Sequence, residues 1–168
     1  HILVAGHSCV TVAEQASSVA GVAKVLLADA SAYEHALAEN VSLLIAQIGS
    51  EYGHILATAT SNAKNIMPRA AALLDSQAIS DISAVIDGDT FKRPIYAGNV
   101  IATVKSSDVI KVITVRGTAF DAASSEGGSA SIDTLVEAHD AEKSSFTSEE
   151  VAKSDRPELT AADVVISG

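Results

Sequence analysis

The chain has 168 residues, of which 48% are apolar and 19% are charged, a composition typical of a folded globular protein and not of a disordered one. Its formal net charge of −10 argues against a nucleic-acid backbone or an anionic membrane as a partner, because both would repel it. The single cysteine, Cys9, excludes an internal disulfide, and we expect it to be a small buried side chain in a reducing compartment.

The first 74 residues alternate between predicted strands and predicted helices. Apolar runs rich in branched side chains indicate strands at residues 1–6, 22–28 and 54–59. Apolar positions at three- and four-residue spacing indicate helices at residues 10–20, 33–48 and 61–74. We expect Asp29 or Ser31 to cap the second helix, Ser61 or Asn62 to cap the third, and Pro68 to kink or divide the third. This order is typical of a parallel sheet with helices on both faces.

After Asp81 the pattern changes to strands joined by short turns. Four strand-like runs cover residues 82–86, 91–97, 100–105 and 110–116. Asp87-Gly88 and Gly98-Asn99 supply turn residues that adopt positive φ at low cost. Because helices no longer intervene, we expect these strands to pair as antiparallel neighbours. The predicted fold is α/β: a three-layer Rossmann-like sandwich with a mostly parallel sheet extended by antiparallel strands, followed by the first strand of a second doubly wound domain.

The last quarter of the chain differs in composition. Ser, Gly, Ala and Glu dominate residues 122–150, which therefore bury too little apolar surface to offset the entropy of ordering, and we predict a linker there. The apolar run Val164–Ile166 predicts a new strand. The predicted organisation is an N-terminal α/β domain at residues 1–121, incomplete at its start, then the linker at 122–150, then the beginning of a second domain, truncated, at 151–168.

Two turns that follow predicted strands are candidate ligand sites. They are Ala5-Gly6-His7-Ser8 and Ala59-Thr60-Ser61-Asn62, where free N–H groups at a helix N-terminus could point toward a phosphate. Ordinary capped turns are the more frequent explanation of such sequences. Gly6 is also too isolated for a glycine-rich phosphate loop of a hydrolase.

The histidines and aspartates show no spacing typical of catalysis or metal binding. We predict no metal site from the histidines, which are His1, His7, His35, His54 and His139. A nucleophile elbow is also absent from the sequence, and we assign no catalytic residue. Local backbone hydrogen bonds are the expected role of the turn aspartates, which are Asp81, Asp87, Asp89 and Asp121.

Several stretches, in a fixed order along the chain, resemble one known family. They are residues 64–69 (KNIMPR) with 71–73 (AAL) and 79–82 (ISDI), then 93–99 (RPIYAGN), 115–123 (VRGTAFDAA), 154–160 (SDRPELT) and 164–168 (VVISG). Each is weakly specific alone, but together they span most of the chain. On these residues the chain resembles the α subunit of electron-transfer flavoproteins.

The resemblance implies a function in electron transport. It implies a subunit of a heterodimeric FAD-containing carrier that passes electrons from acyl-CoA and related dehydrogenases, as in fatty acid β-oxidation, to a membrane-bound respiratory quinone oxidoreductase. Such a carrier has no substrate turnover of its own and resides in the bacterial cytoplasm or the mitochondrial matrix. The alternative from another class is a stand-alone regulatory module of the stress-protein type, which binds an adenine nucleotide through the turns near Gly6 and Ser61.

The resemblance also implies where the cofactors lie. FAD belongs to the complete α subunit in its heterodimer with a β subunit, and AMP is expected in the β partner. The family's flavin loop continues beyond Ser167-Gly168, so we expect no cofactor-binding residue within residues 1–168 and no tight FAD binding by this chain alone. The family's first strand and helix are likewise expected to precede His1.

Three structural roles follow from the resemblance. Gly98-Asn99 is expected to form a tight turn, and Asp155-Arg156-Pro157 to fix the chain where it enters the second domain. Arg116 and Asp121 are expected to stabilise the edge that faces the β subunit. The alternative for Arg116 is that it balances the charge of the anionic flavin.

Overall fold

The strands form three small sheets in the computed structural model, which describes residues 1–150, 162 and 164–166. The strands are β1 (Ile2–Gly6), β2 (Lys24–Asp29), β3 (His54–Thr58), β4 (Ala78–Ile82), β5 (Ala84–Val85), β6 (Thr90–Ile95), β7 (Val100–Lys105), β8 (Lys111–Val115) and β9 (Ser131–Thr134). The α-helices are α1 (Val10–Ser17), α2 (Ala38–Gly49) and α3 (Ser61–Leu73). Three 3₁₀ turns lie at Ser31–Tyr33, Tyr96–Gly98 and Gly117–Ala119.

Two of the sheets are parallel. The first has the strand order β1-β2-β9, and the second has the order β3-β8-β4. The third sheet, β5-β6-β7, is antiparallel, and its Phe91 packs on Ile79, Ile82 and Ile113 of the second sheet. This arrangement confirms the predicted α/β class with parallel strands and additional antiparallel strands. The antiparallel strands form a separate sheet on one face of the second sheet, and do not lengthen it.

The position of β8 corrects one prediction. We expected this strand to pair antiparallel with its sequence neighbours, but it lies parallel to β3 and β4, between them. Its consecutive residues Val112 and Ile113 are both fully buried, Val112 beneath the helices and Ile113 beneath the third sheet. A strand that is apolar on both faces is typical of the centre of a parallel sheet.

The helices cover opposite faces of the first sheet. Ala13 of α1 packs with Val4, Val25 and Leu27 on one face. On the other face, α2 and α3 form one layer whose buried side chains contact all of β1, β2, β3 and β8. The core of that layer consists of Ala28, Tyr33, Val41, Leu44, Ile45, Ala63, Met67, Ala70, Ala71 and Val112. The two parallel sheets therefore share one helical layer.

The second and third helices begin differently from the prediction. The second begins at Ala38 and not near residue 33, because Ser31–Tyr33 forms a 3₁₀ turn and Ala36 has a φ of 47°, which interrupts a helix. The third helix continues through Pro68 as one element, so this proline does not divide it. Its cap is Thr60, one residue earlier than predicted, whose hydroxyl accepts a hydrogen bond from the Ala63 N–H at 3.2 Å.

The predicted linker contains a strand. β9 pairs with Lys24–Leu27 of β2 and so completes one side of the first sheet. The N–H groups of Gly128 and Ala130 donate to the carbonyls of Ser18 and Ser17 at the end of α1, at 2.8 and 3.0 Å. A strand at a sheet edge gains its hydrogen bonds from a neighbour, so it forms here despite a short and mostly polar sequence. The domain boundaries near residues 121 and 150 stay a prediction.

Buried polar groups hold the chain after β9 against the domain. The Tyr33 hydroxyl accepts a hydrogen bond from the His139 N–H at 2.9 Å. The side-chain oxygen of Asn40, which is only 3% exposed, accepts one from the Ala141 N–H at 2.9 Å. Phe146 stacks on His35 with the ring centroids 3.7 Å apart. Residues 139–146 therefore pack on the start of α2 and the turn before it.

The predicted strand at Val164–Ile166 is not formed. These three residues have no regular secondary structure and are exposed.

Candidate functional site

The carboxyl ends of the parallel strands meet at one edge of each sheet, where α/β folds place their ligands. At the edge of the first sheet, β1 runs through the turn Gly6-His7-Ser8 into α1. The carboxylate of Asp29, at the end of β2, accepts hydrogen bonds from the N–H groups of Ser8 and Cys9 at 2.7 and 3.0 Å. The donors that could have held a phosphate are therefore occupied by the protein's own anion.

The carboxylate of Asp29 also makes this turn unfavourable for external anions. A phosphate would have to displace Asp29 from two hydrogen bonds and would be repelled by its charge. At the second candidate turn a side chain of the protein also uses an N–H group at the helix N-terminus: the Thr60 hydroxyl accepts a hydrogen bond from the Ala63 N–H and so caps α3. Both observations argue against the stand-alone nucleotide-binding module that the sequence left open.

Cys9 lies beside this turn as a buried side chain, as predicted. Burial raises the pKa of its thiol, and the negative charge of Asp29 raises it further. A thiol held in its protonated form is a poor nucleophile. The site therefore offers no activated cysteine.

The edge of the second sheet carries a group of charged side chains that we call the Asp81 cluster, consisting of Lys64, Asp81, Arg93 and Arg116. The guanidinium of Arg116 binds the Asp81 carboxylate with two nitrogens, Nε at 3.2 Å from Oδ1 and Nη2 bonded to Oδ2. The guanidinium of Arg93 donates to the carbonyl and the hydroxyl of Ser80, both at 2.8 Å. Lys64 lies near enough for its charge to act on Asp81.

The backbone conformation at Asp81 directs its carboxylate toward Arg116. Asp81 has a φ of 57°, in the left-handed region, and lies in an irregularity of the pairing between β4 and β8 from Ile79 to Ile82. Its N–H donates to the buried hydroxyl of Thr114 at 2.8 Å. Such bulges change the direction of a side chain at a strand end. Here the result is a carboxylate held against Arg116.

The electrostatics of the Asp81 cluster favour the ionised carboxylate. The hydrogen bond from Arg116 lowers the pKa of Asp81 most, and the charges of Arg116, Lys64 and Arg93 lower it further. The same contact raises the pKa of Arg116. Three cations surround one carboxylate, so the cluster is locally positive on a chain whose net charge is −10. Such a patch suits a partner that presents negative charge.

Sequence reasoning identified Arg116 and Asp81 separately but did not pair them. The two residues are 35 positions apart in the sequence, and the signal that could have paired them is that both lie at the carboxyl ends of strands of the same parallel sheet. Reading β8 as antiparallel removed that signal. Asp121, the other predicted edge residue, is exposed and follows the 3₁₀ turn Gly117–Ala119.

The predicted tight turn at Gly98-Asn99 is confirmed. Gly98 has a φ of 89°, and the Asn99 side chain donates to the Tyr96 carbonyl at 2.9 Å. The turn joins β6 to β7 and exposes apolar side chains, above all Tyr96, which is 77% exposed. Val100 and Ile101 of β7 are also exposed. The hairpin therefore presents an apolar tip to solvent.

Asp155-Arg156-Pro157 and Ser167-Gly168 lie outside the described residues. Among the residues that the structure describes, no group of three or more His, Cys, Asp or Glu side chains could hold a metal ion. None of the helices in that part of the chain combines the length and the apolar character needed to cross a membrane.

The fold and its two strand-end edges define a Rossmann-like α/β domain in which side chains of the domain itself fill the usual ligand turns. A family model described as the electron transfer flavoprotein domain matches residues 1–140. The chain belongs to the electron transfer flavoprotein family, which confirms the resemblance seen in the sequence.

The curated relatives agree with this assignment. The chain is 60% identical over 168 residues to the electron transfer flavoprotein subunit alpha of Pseudomonas aeruginosa, covering 100% of this chain and 54% of that protein. It is 53% identical over 167 residues to the same subunit of Paracoccus denitrificans, covering 99% and 54%. It is 47% identical over 182 residues to the mitochondrial subunit alpha of Dictyostelium discoideum, covering 99% and 51%. The chain therefore spans about half the length of the curated relatives it matches.

Proposed function

We propose that the chain is part of the α subunit of a heterodimeric electron carrier that holds FAD. The observation that carries this proposal is the 60% identity, over every residue of the chain, to a protein named electron transfer flavoprotein subunit alpha. The carrier accepts electrons from acyl-CoA and related dehydrogenases and passes them to a respiratory quinone oxidoreductase. It has no substrate turnover of its own, and it works in the bacterial cytoplasm or the mitochondrial matrix.

Within that carrier the chain acts mainly as scaffold and subunit interface. The N-terminal domain at residues 1–121 is completed by β9 and residues 139–146 of the segment 122–150, and that segment leads to residues 151–168, which begin the FAD-binding domain. FAD is held beyond Ser167-Gly168, and AMP is held by the β subunit. The occupied turns at Ser8 and Thr60 support a scaffold role, because their hydrogen-bond donors are already used within the domain.

The surface that faces the β subunit includes the Asp81 cluster, Asp121 and the β6–β7 hairpin. Exposed apolar side chains such as Tyr96 gain free energy when a partner buries them, and a cationic patch beside them adds selectivity for an acidic partner surface. Aromatic residues and arginines are the residue types that most often dominate such interfaces.

The proposal is tested on the complete α subunit co-purified with its β subunit. We expect an intact mass above that of this chain, a second subunit and flavin absorption at about 450 nm, the usual position of the flavin band. A colourless single chain that binds ATP or AMP by itself would instead support the stand-alone nucleotide-binding module.

Replacing Arg116 separates its two proposed roles. We expect Arg116→Ala to weaken association with the β subunit, measured by isothermal titration calorimetry, and to leave the flavin potential unchanged. Arg69→Ala removes the same charge from an exposed position on α3 and should leave association unchanged. A changed potential with intact association would assign Arg116 to charge balance at the flavin, and no change in either quantity would remove it from both roles.

A further inference from the structure

The chain after β9 runs along α2 toward the start of that helix. Residues 137–146, which we call the strap, first meet Gln47 near the end of α2, where the His139 ring makes a hydrogen bond to the Gln47 side chain at 2.6 Å. Farther along the strap, the Ser144 hydroxyl donates to the carboxylate of Glu39 in the first turn of α2 at 2.9 Å. The strap therefore lies beside α2 over most of the length of that helix.

Two buried side chains hold the strap by its backbone. The hydroxyl of Tyr33, a residue only 1% exposed, accepts the hydrogen bond from the His139 N–H, and the Asn40 side-chain oxygen accepts the one from the Ala141 N–H. The Asn40 amide nitrogen also donates to the Ala32 carbonyl at 2.9 Å, in the 3₁₀ turn that contains Tyr33. Because the two acceptors are joined in this way, we expect both strap bonds to form and break together.

The strap buries little apolar surface when it is held in this way. Its apolar side chains are those of Ala138, Ala141 and Phe146, and Phe146 is still 43% exposed. Hydrophobic stabilisation is roughly proportional to the apolar area removed from water, so it contributes little to holding the strap. A segment with few buried apolar contacts opens at a lower free energy than the whole domain.

The backbone of the strap is strained at one residue. Glu142 has a φ of 52°, in the left-handed region that a residue with a Cβ atom adopts at a cost. Its N–H donates to the Asp140 carboxylate within the strap, at 2.9 Å, and not to the domain. Opening the strap relieves this strain, and water can then bond the exposed polar groups of Tyr33 and Asn40.

We infer that the strap opens and closes as one unit while the rest of the domain stays folded, and that closing it shortens the tether to the FAD-binding domain. The statement about the tether rests on the proposed function, which places that domain after the strap. When the strap is closed, the chain is fixed as far as Phe146, which stacks on His35. When it is open, the last fixed residue is Leu135, which packs on the core, and residues 137–146 can extend over about 33 Å.

Hydrogen exchange in the complete α subunit, co-purified with its β subunit, tests the opening. We expect the His139 and Ala141 amides to have the same protection factor, lower than those of the β8 amides, with a weak dependence on urea. Protection equal to that of β8 would show that the strap opens only when the domain unfolds. Absent protection would show that it is not closed, and unequal protection of the two amides that it is not one unit. Each of these results would overturn the proposal.

A tyrosine variant tests the same opening through proteolysis. Tyr33→Phe removes one acceptor and keeps the buried ring, and Lys143 provides a trypsin site within the strap. We expect cleavage after Lys143, followed by mass spectrometry, to become about fivefold faster, because cleavage follows the population of the open form and one hydrogen bond is lost. The protection of the β8 amides should not change.

Tyr52→Phe is the matched control for this variant. It also removes a bonded tyrosine hydroxyl, but the partner of that hydroxyl is His1 and not the strap. Cleavage after Lys143 should therefore keep the rate of the parent protein. An unchanged rate in Tyr33→Phe, or equal acceleration in both variants, would contradict a strap held by Tyr33.

Replacing residues 137–146 by a Gly/Ser segment of the same length tests the tether in the heterodimer. Such a segment cannot close and spans about 17 Å on average. We expect small-angle X-ray scattering to give a larger maximum dimension than for the parent heterodimer, and an unchanged dimension would overturn the role of the strap in tether length. A parent protein without flavin or β subunit would contradict the proposed function instead, and would leave the exchange and cleavage results on the strap unaffected.

Discussion

Gly128 shows how one residue fixes the course of a segment of low apolar content. A Cβ atom at this position would lie 2.2 Å from the Val19 carbonyl oxygen and 2.9 Å from the Ser17 carbonyl oxygen, distances that real Cβ atoms do not adopt. Its φ is not in the left-handed region, so the requirement for glycine comes from the close approach to the end of α1. Because the Gly128 backbone lies so close to the end of α1, its N–H can donate a hydrogen bond to the Ser18 carbonyl.

Replacing Gly128 therefore separates β9 from the domain. We expect Gly128→Ala to lower the free energy of unfolding by about 2–3 kcal/mol, because the backbone must move to relieve the clash. Urea denaturation measures the change. Gly88→Ala, at a turn where a Cβ atom meets nothing, should stay within about 0.5 kcal/mol of the parent chain. A stable Gly128→Ala variant with an intact β9 would show that the approach is not required.

At the scale of the element, α1 depends on a side chain from another strand for its N-terminus. Its N-cap residue, Cys9, makes no side-chain cap hydrogen bond. The carboxylate of Asp29, at the end of β2, instead anchors the start of the helix by accepting hydrogen bonds from the N–H groups of Ser8 and Cys9. The helix has only eight residues, too few to be stable without such support. Asp29 thus connects β2 to the start of α1.

Removing this carboxylate should loosen α1. We expect Asp29→Ala to cost about 1 kcal/mol of unfolding free energy, as lost helix caps do, and Asp29→Asn to restore part of it by accepting one hydrogen bond. In the Asp29→Ala variant, the amides of α1 should exchange faster, while those of α3, whose cap is Thr60, should exchange at an unchanged rate. This result would confine the destabilisation to α1. Equal destabilisation of both helices would contradict a local capping role.

The elements that the sequence predicted well are those whose signal is local. β1, β3 and β7 match their apolar runs to within about two residues, and α3 begins next to its predicted cap. β8 and β9 were misassigned because pairing partners far away in sequence decide their role. The pattern of β8 fits a strand of either direction, and β9 is too polar to be recognised without β2. The Asp81–Arg116 pair was missed for the same reason.

At the scale of the whole molecule, acid stability depends on carboxylates whose pKa is lowered by folding. The Arg116 hydrogen bond lowers the pKa of Asp81, backbone hydrogen bonds and then the Ser144 hydroxyl lower that of Glu39, and the Asp89 N–H lowers that of Asp87. A lowered pKa in the folded state stabilises the protein fully above the ordinary carboxyl pKa of about 4. That stabilisation disappears as the pH falls through the lowered values.

We therefore expect the urea midpoint to be constant between about pH 7 and 5 and to fall below about pH 4. Arg116→Gln should make the fall shallower, because Asp81 then titrates closer to its ordinary pKa. Lys92→Gln removes the same charge from an exposed side chain on β6 and should leave the shape of the acid limb unchanged. An Arg116→Gln curve parallel to that of the parent chain would show that Asp81 contributes nothing to acid stability.

The central place of β8 has a consequence for biosynthesis. The ribosome makes β3 and β4 well before it makes the strand that lies between them. Until Lys111–Val115 has left the exit tunnel, neither earlier strand has its partner, and both expose backbone edges that other nascent chains can pair with. The second sheet therefore cannot form until its last strand, β8, has been synthesised. During this period, protection of the nascent chain by chaperones should have the greatest effect on yield.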